Sequence, residues 1–183
     1  MRPSLVAVFC ASLLAPLPAL GDAPGQARPA ILTIIGGSEA NRGPADRFLD
    51  AFFSAQDIAF DAALALDRQA LAAMPQTRIT ANGPGWPEPM TLSGPLLTEV
   101  IAKAGIAQDV TLLVTALDGY VAEISAADRA AATWIVAIEV EGQPLSLGGR
   151  GPTWILPDTG GLAVGEGEDA NWVWAAYLMS VAE

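Results

Sequence analysis

A cation set among glycines is the first feature of this sequence that could do chemistry. Gly148-Gly149-Arg150-Gly151 combines a guanidinium group with backbone N–H groups that could surround a small anion. It is not a dinucleotide-binding fingerprint, because Pro152 and a predicted strand follow where a helix would have to begin. Two interpretations stay open. The stretch is either an anion-binding loop that uses Gly149 and Arg150, or a flexible connection between two strands, which is the commoner role of such a sequence.

Asp118-Gly119-Tyr120 and Trp86 are the other candidates for a binding site. Asp-Gly is a typical tight hairpin turn, so a plain turn followed by a half-buried strand residue, Tyr120, is the competing interpretation. Trp86 stands in a loop rich in proline and glycine. Since most of the other tryptophans fall on predicted strands, Trp86 is the one best placed to face a ligand.

The clustered carboxylates predict neither catalysis nor a metal site. Glu139 and Glu141 share one face of a predicted strand, and a solvated face explains them. Glu166, Glu168 and Asp169 lie in one glycine-rich loop but lack the spacing of a calcium-binding loop. The sequence therefore yields no candidate catalytic residue and no candidate metal ligand.

Composition excludes several classes of function. The 183 residues include no histidine, so nucleophile pairs that need an imidazole base are excluded. With one cysteine, the usual ligands of zinc are lacking as well. The formal net charge of −11 opposes binding to nucleic acid and to anionic lipid.

The first residues predict export. An apolar run from Leu5 to Ala15 follows Arg2, and small residues precede a cleavage site near Gly21. We therefore expect a signal peptide over 1–21, a flexible lead-in over 22–30 and a single domain over 31–183, in the periplasm or secreted. No later stretch has the length of a membrane span.

Within that domain, short strands alternate irregularly with a few helices, which predicts a mixed, β-rich α+β fold. We expect helices in the stretches with helical spacing of apolar residues or with a capping residue, over 44–54, 68–74 and 95–103 and from Ser125 onward. The expected strands cover 31–35, 76–80, 110–117, 120–124, 134–140, 153–156 and 171–181.

The order of these segments resembles the molybdopterin-binding domain of the sulfite oxidase superfamily, from about Leu66 to the C-terminus. The motifs that carry the resemblance are the helix 96–101, the Asp118-Gly119-Tyr120 turn, Glu141-Gly142-Gln143-Pro144-Leu145, Gly151-Pro152 with Trp154-Ile155-Leu156-Pro157, and Trp172-Val173-Trp174. The resemblance implies a sulfite-oxidase-type fold that holds a molybdenum-pterin cofactor for oxygen-atom transfer. It also implies that Asp118, Tyr120, Arg150 and Trp86 lie near the cofactor cleft.

The chain departs from that family where the chemistry is concentrated. The family binds molybdenum through a cysteine thiolate, whereas the single cysteine here, Cys10, falls in the predicted signal peptide. Of the basic residues that would hold the pterin phosphate, Arg150 remains. The first hypothesis is therefore a periplasmic module that binds or senses a small anion or a protein partner without molybdenum chemistry. The alternatives are an atypical molybdopterin-dependent oxidoreductase and a structural domain without a ligand.

Overall fold

Two β-sheets and four short helices form the part of the chain that the computed structural model describes, residues 28–182. The predicted signal peptide, with Cys10, and most of the predicted lead-in lie outside the described residues. The strands are β1 (Leu32–Ile34), β2 (Leu64–Leu66), β3 (Gln76–Ala81), β4 (Met90–Pro95), β5 (Leu112–Ala116), β6 (Val121–Ile124), β7 (Trp134–Ala137), β8 (Glu139–Val140), β9 (Gln143–Pro144), β10 (Thr153–Pro157) and β11 (Val173–Val181). The helices are α1 (Ala51–Ala55), α2 (Arg68–Ala72), α3 (Leu97–Lys103) and α4 (Ala126–Ala131).

The larger sheet is organised around the long strand β11. Its order is β2-β1-β11-β10-β7, and β5 also pairs with β11 and carries β6 on its other edge. The pairing of β1 with β11 is parallel and the other pairings are antiparallel. β7 and β10 are buried at almost every position, which explains their continuous apolar sequences. This mixed, sheet-rich architecture confirms the predicted α+β class.

The smaller sheet, β3-β4-β8-β9, is joined to the larger one at Ile138. The sequence predicts one strand over 134–140, but that segment belongs to two sheets. The N–H of Ile138 donates to the carbonyl of Ser93 at 2.9 Å, and β8 then pairs with β4. At Gly94 in β4, an added Cβ would lie 2.0 Å from the carbonyl oxygen of Val136 in β7, so the sheets approach closely where a side chain is absent.

Local signals predict correctly where two helices begin, although α2 ends at Ala72 and not at Met74. Asp67 caps α2 by accepting the N–H of Ala70 at 2.6 Å. Ser125 and Asp128 form a capping box at the start of α4, in which each side chain accepts the other residue's backbone N–H.

Two predicted helices are shorter than their apolar spacing suggests. Within the stretch 44–54, only the residues that belong to α1 are helical. The residues before α1 form turns, in which Asp46 and Asp50 accept backbone N–H groups. Phe48 is 85% exposed. Pro95 belongs to β4 instead of opening α3, which begins at Leu97. Among residues 28–182, no helix combines the length and the apolar character needed to cross a membrane.

Candidate functional site

A cavity of about 320 Å³ opens beside the beginning of β11. Five aromatic side chains line it, namely Trp86, Tyr120, Trp154, Trp172 and Trp174. Three charged side chains share it, namely Arg150, Asp118 and Asp169. The cavity thus combines apolar ring faces with charges of both signs.

The loop that carries Arg150 is anchored at both ends by another arginine. We call residues 145–152 the Arg150 loop. The guanidinium group of Arg68, in α2, donates to the carbonyl of Ile138 at 2.7 Å, to that of Leu145, and to that of Pro152 at 3.3 Å. Leu145 and Pro152 are the two ends of the loop. Arg68 therefore fixes the points between which Arg150 is presented.

The interior of the Arg150 loop is folded on itself. The N–H groups of Gly149 and Gly151 both donate to the carbonyl of Ser146, each at 3.2 Å. A Cβ at Gly151 would lie 2.6 Å from the carbonyl carbon of Leu145, so the chain can close there only without a side chain. The N–H of Gly149 therefore already has an acceptor within the loop, and Gly149 does not line the cavity, whereas Arg150 does. The connection between the two strands contains hydrogen bonds of its own.

Arg150 itself is exposed and its guanidinium group lies over the indoles of Trp154 and Trp86. Its guanidinium carbon lies 4.7 Å from the ring centroid of Trp154 and 5.6 Å from that of Trp86. Stacking of this kind stabilises the position of a cation at an exposed site by about 0.5–1 kcal/mol. No hydrogen bond or ion pair joins the Arg150 side chain to another residue of the described chain. Its N–H donors face water or a ligand.

Three packed indoles form the floor of the cavity. The ring centroid of Trp86 lies 5.3 Å from that of Trp154 and 5.9 Å from that of Trp172. Gly83 makes room for this packing, since a Cβ there would lie 2.6 Å from the Trp86 ring. Trp154 is 1% exposed, and its buried Nε1 finds no acceptor among the described residues. An unpaired buried N–H costs about 1–3 kcal/mol, which makes this atom a candidate donor to a ligand.

Tyr120 joins the two loops that form the remaining wall. In the turn between β5 and β6, Oδ1 of Asp118 accepts the N–H of Tyr120 at 3.0 Å. The hydroxyl of Tyr120 donates to the carbonyl of Ala170, which follows Asp169 in the loop before β11. The predicted hairpin is confirmed, and its turn contributes both a carboxylate and a ring to the cavity.

A backbone irregularity in β11 connects the cavity to the sheet. Ala175 has a φ of 50°, which is unusual for a residue with a side chain. Its N–H donates to the carbonyl of Arg150 at 2.8 Å, and its carbonyl accepts the N–H of Leu117 at 3.0 Å. One residue thus holds the Arg150 loop against the strand that leads to Asp118. Strained backbone of this kind is concentrated at functional sites.

The structure brings four of the five predicted site residues together. Asp118, Tyr120, Arg150 and Trp86 line one cavity, whereas Gly149 lies outside it. That a ligand binds there stays a prediction.

Sequence reasoning missed Asp169, which it assigned to a solvated loop, and the cavity-facing roles of Trp154, Trp172 and Trp174. The one available signal was alternation, because Trp172 and Trp174 flank the fully buried Val173 and so point to the same side of β11.

Glu139 and Glu141, which the sequence predicts on one solvated face of a strand, do not share a strand, because β8 contains Glu139 and ends at Val140. Glu141 lies in a turn with a φ of 49°, and its carboxylate accepts the N–H of Thr91 at 2.6 Å. Within the described residues, no group of three or more carboxylate, histidine or cysteine side chains converges as a metal site would require.

Comparisons with known proteins identify little. The chain matches no protein-family model and no curated protein. Among solved structures it is similar to the sulfane dehydrogenase SoxCD from Paracoccus pantotrophus, with a TM-score of 0.49 and 15% sequence identity. The match covers 65% of this chain and 35% of the other, so the chain spans about a third of that protein. Similarity at this level assigns no function, and the superfamily named from the sequence stays a prediction.

Proposed function

We propose that this protein is a non-catalytic binding module, exported from the cytoplasm, that takes a small molecule with an oxyanion group into the indole-lined cavity. The observation that carries the proposal is the exposed guanidinium group of Arg150, which lines the cavity and forms no hydrogen bond or ion pair with another described residue. It lies 4.7 Å from the ring centroid of Trp154, whose buried Nε1–H also has no acceptor among the described residues. An oxygen anion at Arg150 would accept the guanidinium donors, and one that enters deeply enough would also accept the Trp154 N–H.

The cavity is suited to selective binding of a small ligand. Ligand sites are concave, mostly apolar, and contain a few polar groups that fix the ligand's orientation. Here the ring faces supply the apolar surface, and the Arg150 guanidinium with the Trp154 N–H supplies the polar anchor. The hydrogen bonds from Arg68 hold the Arg150 loop before any ligand arrives, which lowers the entropic cost of binding.

The residues around the cavity do not match the needs of a molybdenum pterin. Such a cofactor would require a soft ligand for the metal and cationic groups for its phosphate. The chain's single cysteine, Cys10, lies outside the described residues. At the cavity, Arg150 is accompanied by Asp118 and Asp169, whose carboxylates would weaken the binding of a cofactor that carries a phosphate. The donor set therefore favours a ligand-binding role over the family's redox chemistry.

The test of this proposal is calorimetric titration of the purified full-length protein with acetate, sulfate and phosphate, alongside melting curves by circular dichroism. We expect at least one of these anions to bind and to raise the melting temperature. Arg150→Gln should weaken that binding by at least about tenfold, since a charge-assisted hydrogen bond contributes about 1.5–3 kcal/mol. Trp154→Phe, which removes the N–H and keeps an aromatic ring, should weaken it as well.

Arg78→Gln is the matched control, because Arg78 is an exposed arginine of β3 that does not line the cavity. Equal affinity in the Arg150→Gln and Arg78→Gln variants would refute the proposal, as would no binding of any of the three anions.

A separate experiment tests the proposal that the protein is non-catalytic. The protein is purified from a host fed with molybdate, and near-stoichiometric molybdenum with pterin fluorescence would contradict it.

A further inference from the structure

Two carboxylates in the cavity have no role in binding an anion. Asp118 and Asp169 line the same space of about 320 Å³ as Arg150. Within the described chain, neither forms an ion pair with Arg150, although all three border one small volume. The charged side chains that line the cavity therefore carry one positive and two negative charges. None of the three charges neutralises another by direct contact.

Because of this charge pattern, a ligand that is only anionic should bind more weakly than one that also has a positive group. At a separation of a few ångströms, a second like charge near a protein surface contributes several kcal/mol of repulsion at an effective dielectric constant of about 20. The formal net charge of −11 adds a long-range term of the same sign. A ligand that places a positive group beside Asp118 and Asp169 avoids the repulsion by these two carboxylates. The same group also reduces the long-range repulsion by the negative net charge.

The ring faces give that positive group a second source of attraction. Tyr120 and Trp174 are half-exposed and line the cavity together with the two carboxylates. A cation over an aromatic face is attracted by the ring's quadrupole, and alkylated ammonium ions are bound in aromatic cages for this reason. A methylated ammonium group can be attracted by the carboxylates and by the ring faces at the same time.

We propose that the ligand is a small zwitterion, with a carboxylate at Arg150 and the Trp154 N–H and a methylated ammonium group between Asp118, Asp169 and the neighbouring rings. This inference rests on the proposed function and adds the requirement for a positive charge. It predicts discrimination between molecules of the same shape that differ in that charge alone.

Glycine betaine and 3,3-dimethylbutanoate provide that comparison, because a carbon atom in the second replaces the quaternary nitrogen of the first. Calorimetric titration of the full-length protein should show glycine betaine binding at least about tenfold more tightly, which corresponds to about 1.4 kcal/mol. Choline, which has the cation without the carboxylate, should also bind more weakly than glycine betaine. Arg150→Gln should remove most of the difference between glycine betaine and choline.

The decisive variant is the double change Asp118→Asn with Asp169→Asn, which should abolish the preference for glycine betaine over 3,3-dimethylbutanoate. Asparagine can still accept the Tyr120 N–H in the turn, so the hairpin is retained, and circular dichroism checks the fold. Asp109→Asn is the control, since Asp109 is exposed and does not line the cavity. Equal affinities for the isosteric pair, a preference that persists in the double variant, or no binding of glycine betaine would each overturn the inference. Binding of acetate, sulfate or phosphate that depends on Arg150 would leave the proposed function standing in each of those cases.

Discussion

Replacing Arg68 with methionine should destabilise the protein and loosen the Arg150 loop in particular. Arg68 donates to three carbonyls that lie far away in the sequence, those of Ile138, Leu145 and Pro152. Methionine keeps much of the apolar stem but removes every donor. The bond to Pro152 is long, at 3.3 Å, and each of the other two charge-assisted bonds contributes about 1.5 kcal/mol. We therefore expect Arg68→Met to lower the free energy of unfolding by about 3 kcal/mol.

The assay is urea unfolding followed by far-ultraviolet circular dichroism, with Arg78→Met as the control because Arg78 is exposed. Amide hydrogen exchange then separates a local from a global effect. The N–H groups of Gly149 and Gly151, which donate to Ser146, should lose protection before the core of β10 does. A loss of stability within about 0.5 kcal/mol of that of Arg78→Met would refute the anchoring role of Arg68. Unchanged exchange in the loop would refute it equally.

Three further predictions concern the scaffold. Gly94→Ala should lower the free energy of unfolding by about 3 kcal/mol or more, because its Cβ would lie 2.0 Å from the Val136 carbonyl oxygen. Urea unfolding measures this loss, and a change below about 1 kcal/mol would contradict the close approach of the two sheets. Asp50→Asn should cost about 1 kcal/mol near neutral pH, because the hydrogen bond from Arg42 holds the pKa of Asp50 below its usual range. That contribution is present above the unfolded pKa of about 3.9 and is lost as pH falls through the lower folded value, so a deficit that stays constant in acid would argue against it. Ser125→Ala should cost about 1 kcal/mol through the lost cap of its helix, as thermal unfolding would show, and an unchanged melting temperature would be inconsistent with the capping box.

Features determined by neighbouring residues could be predicted from the sequence. The capping box of α4 and the hairpin at Asp118-Gly119 depend on side chains within three residues of the backbone groups they bind. The mixed α+β class follows from short apolar segments with irregular helices between them. The same local turn keeps Tyr120 beside Asp118.

Features determined by distant contacts could not be predicted. The break of the 134–140 segment at Ile138 depends on Ser93 of another strand, and nothing local marks it. Apolar spacing suggested a longer first helix because it cannot show that Asp46 and Asp50 will accept backbone N–H groups in turns. Asp169 resembled any solvated acid, since its place at the cavity depends on how the loop before β11 returns to Tyr120.

The packed indoles also give the cavity an optical property of its own. Chromophores whose centroids lie 5.3 and 5.9 Å apart, tilted by 59° and 71°, share their excited states instead of absorbing independently. Trp86, Trp154 and Trp172 should therefore produce a paired positive and negative band in the ultraviolet circular dichroism spectrum. Because this couplet depends on the relative orientation of the rings, it reports the geometry of the cavity floor without an added label. Molecules that enter the cavity without moving the rings would leave the couplet intact, whereas those that separate the indoles would erase it.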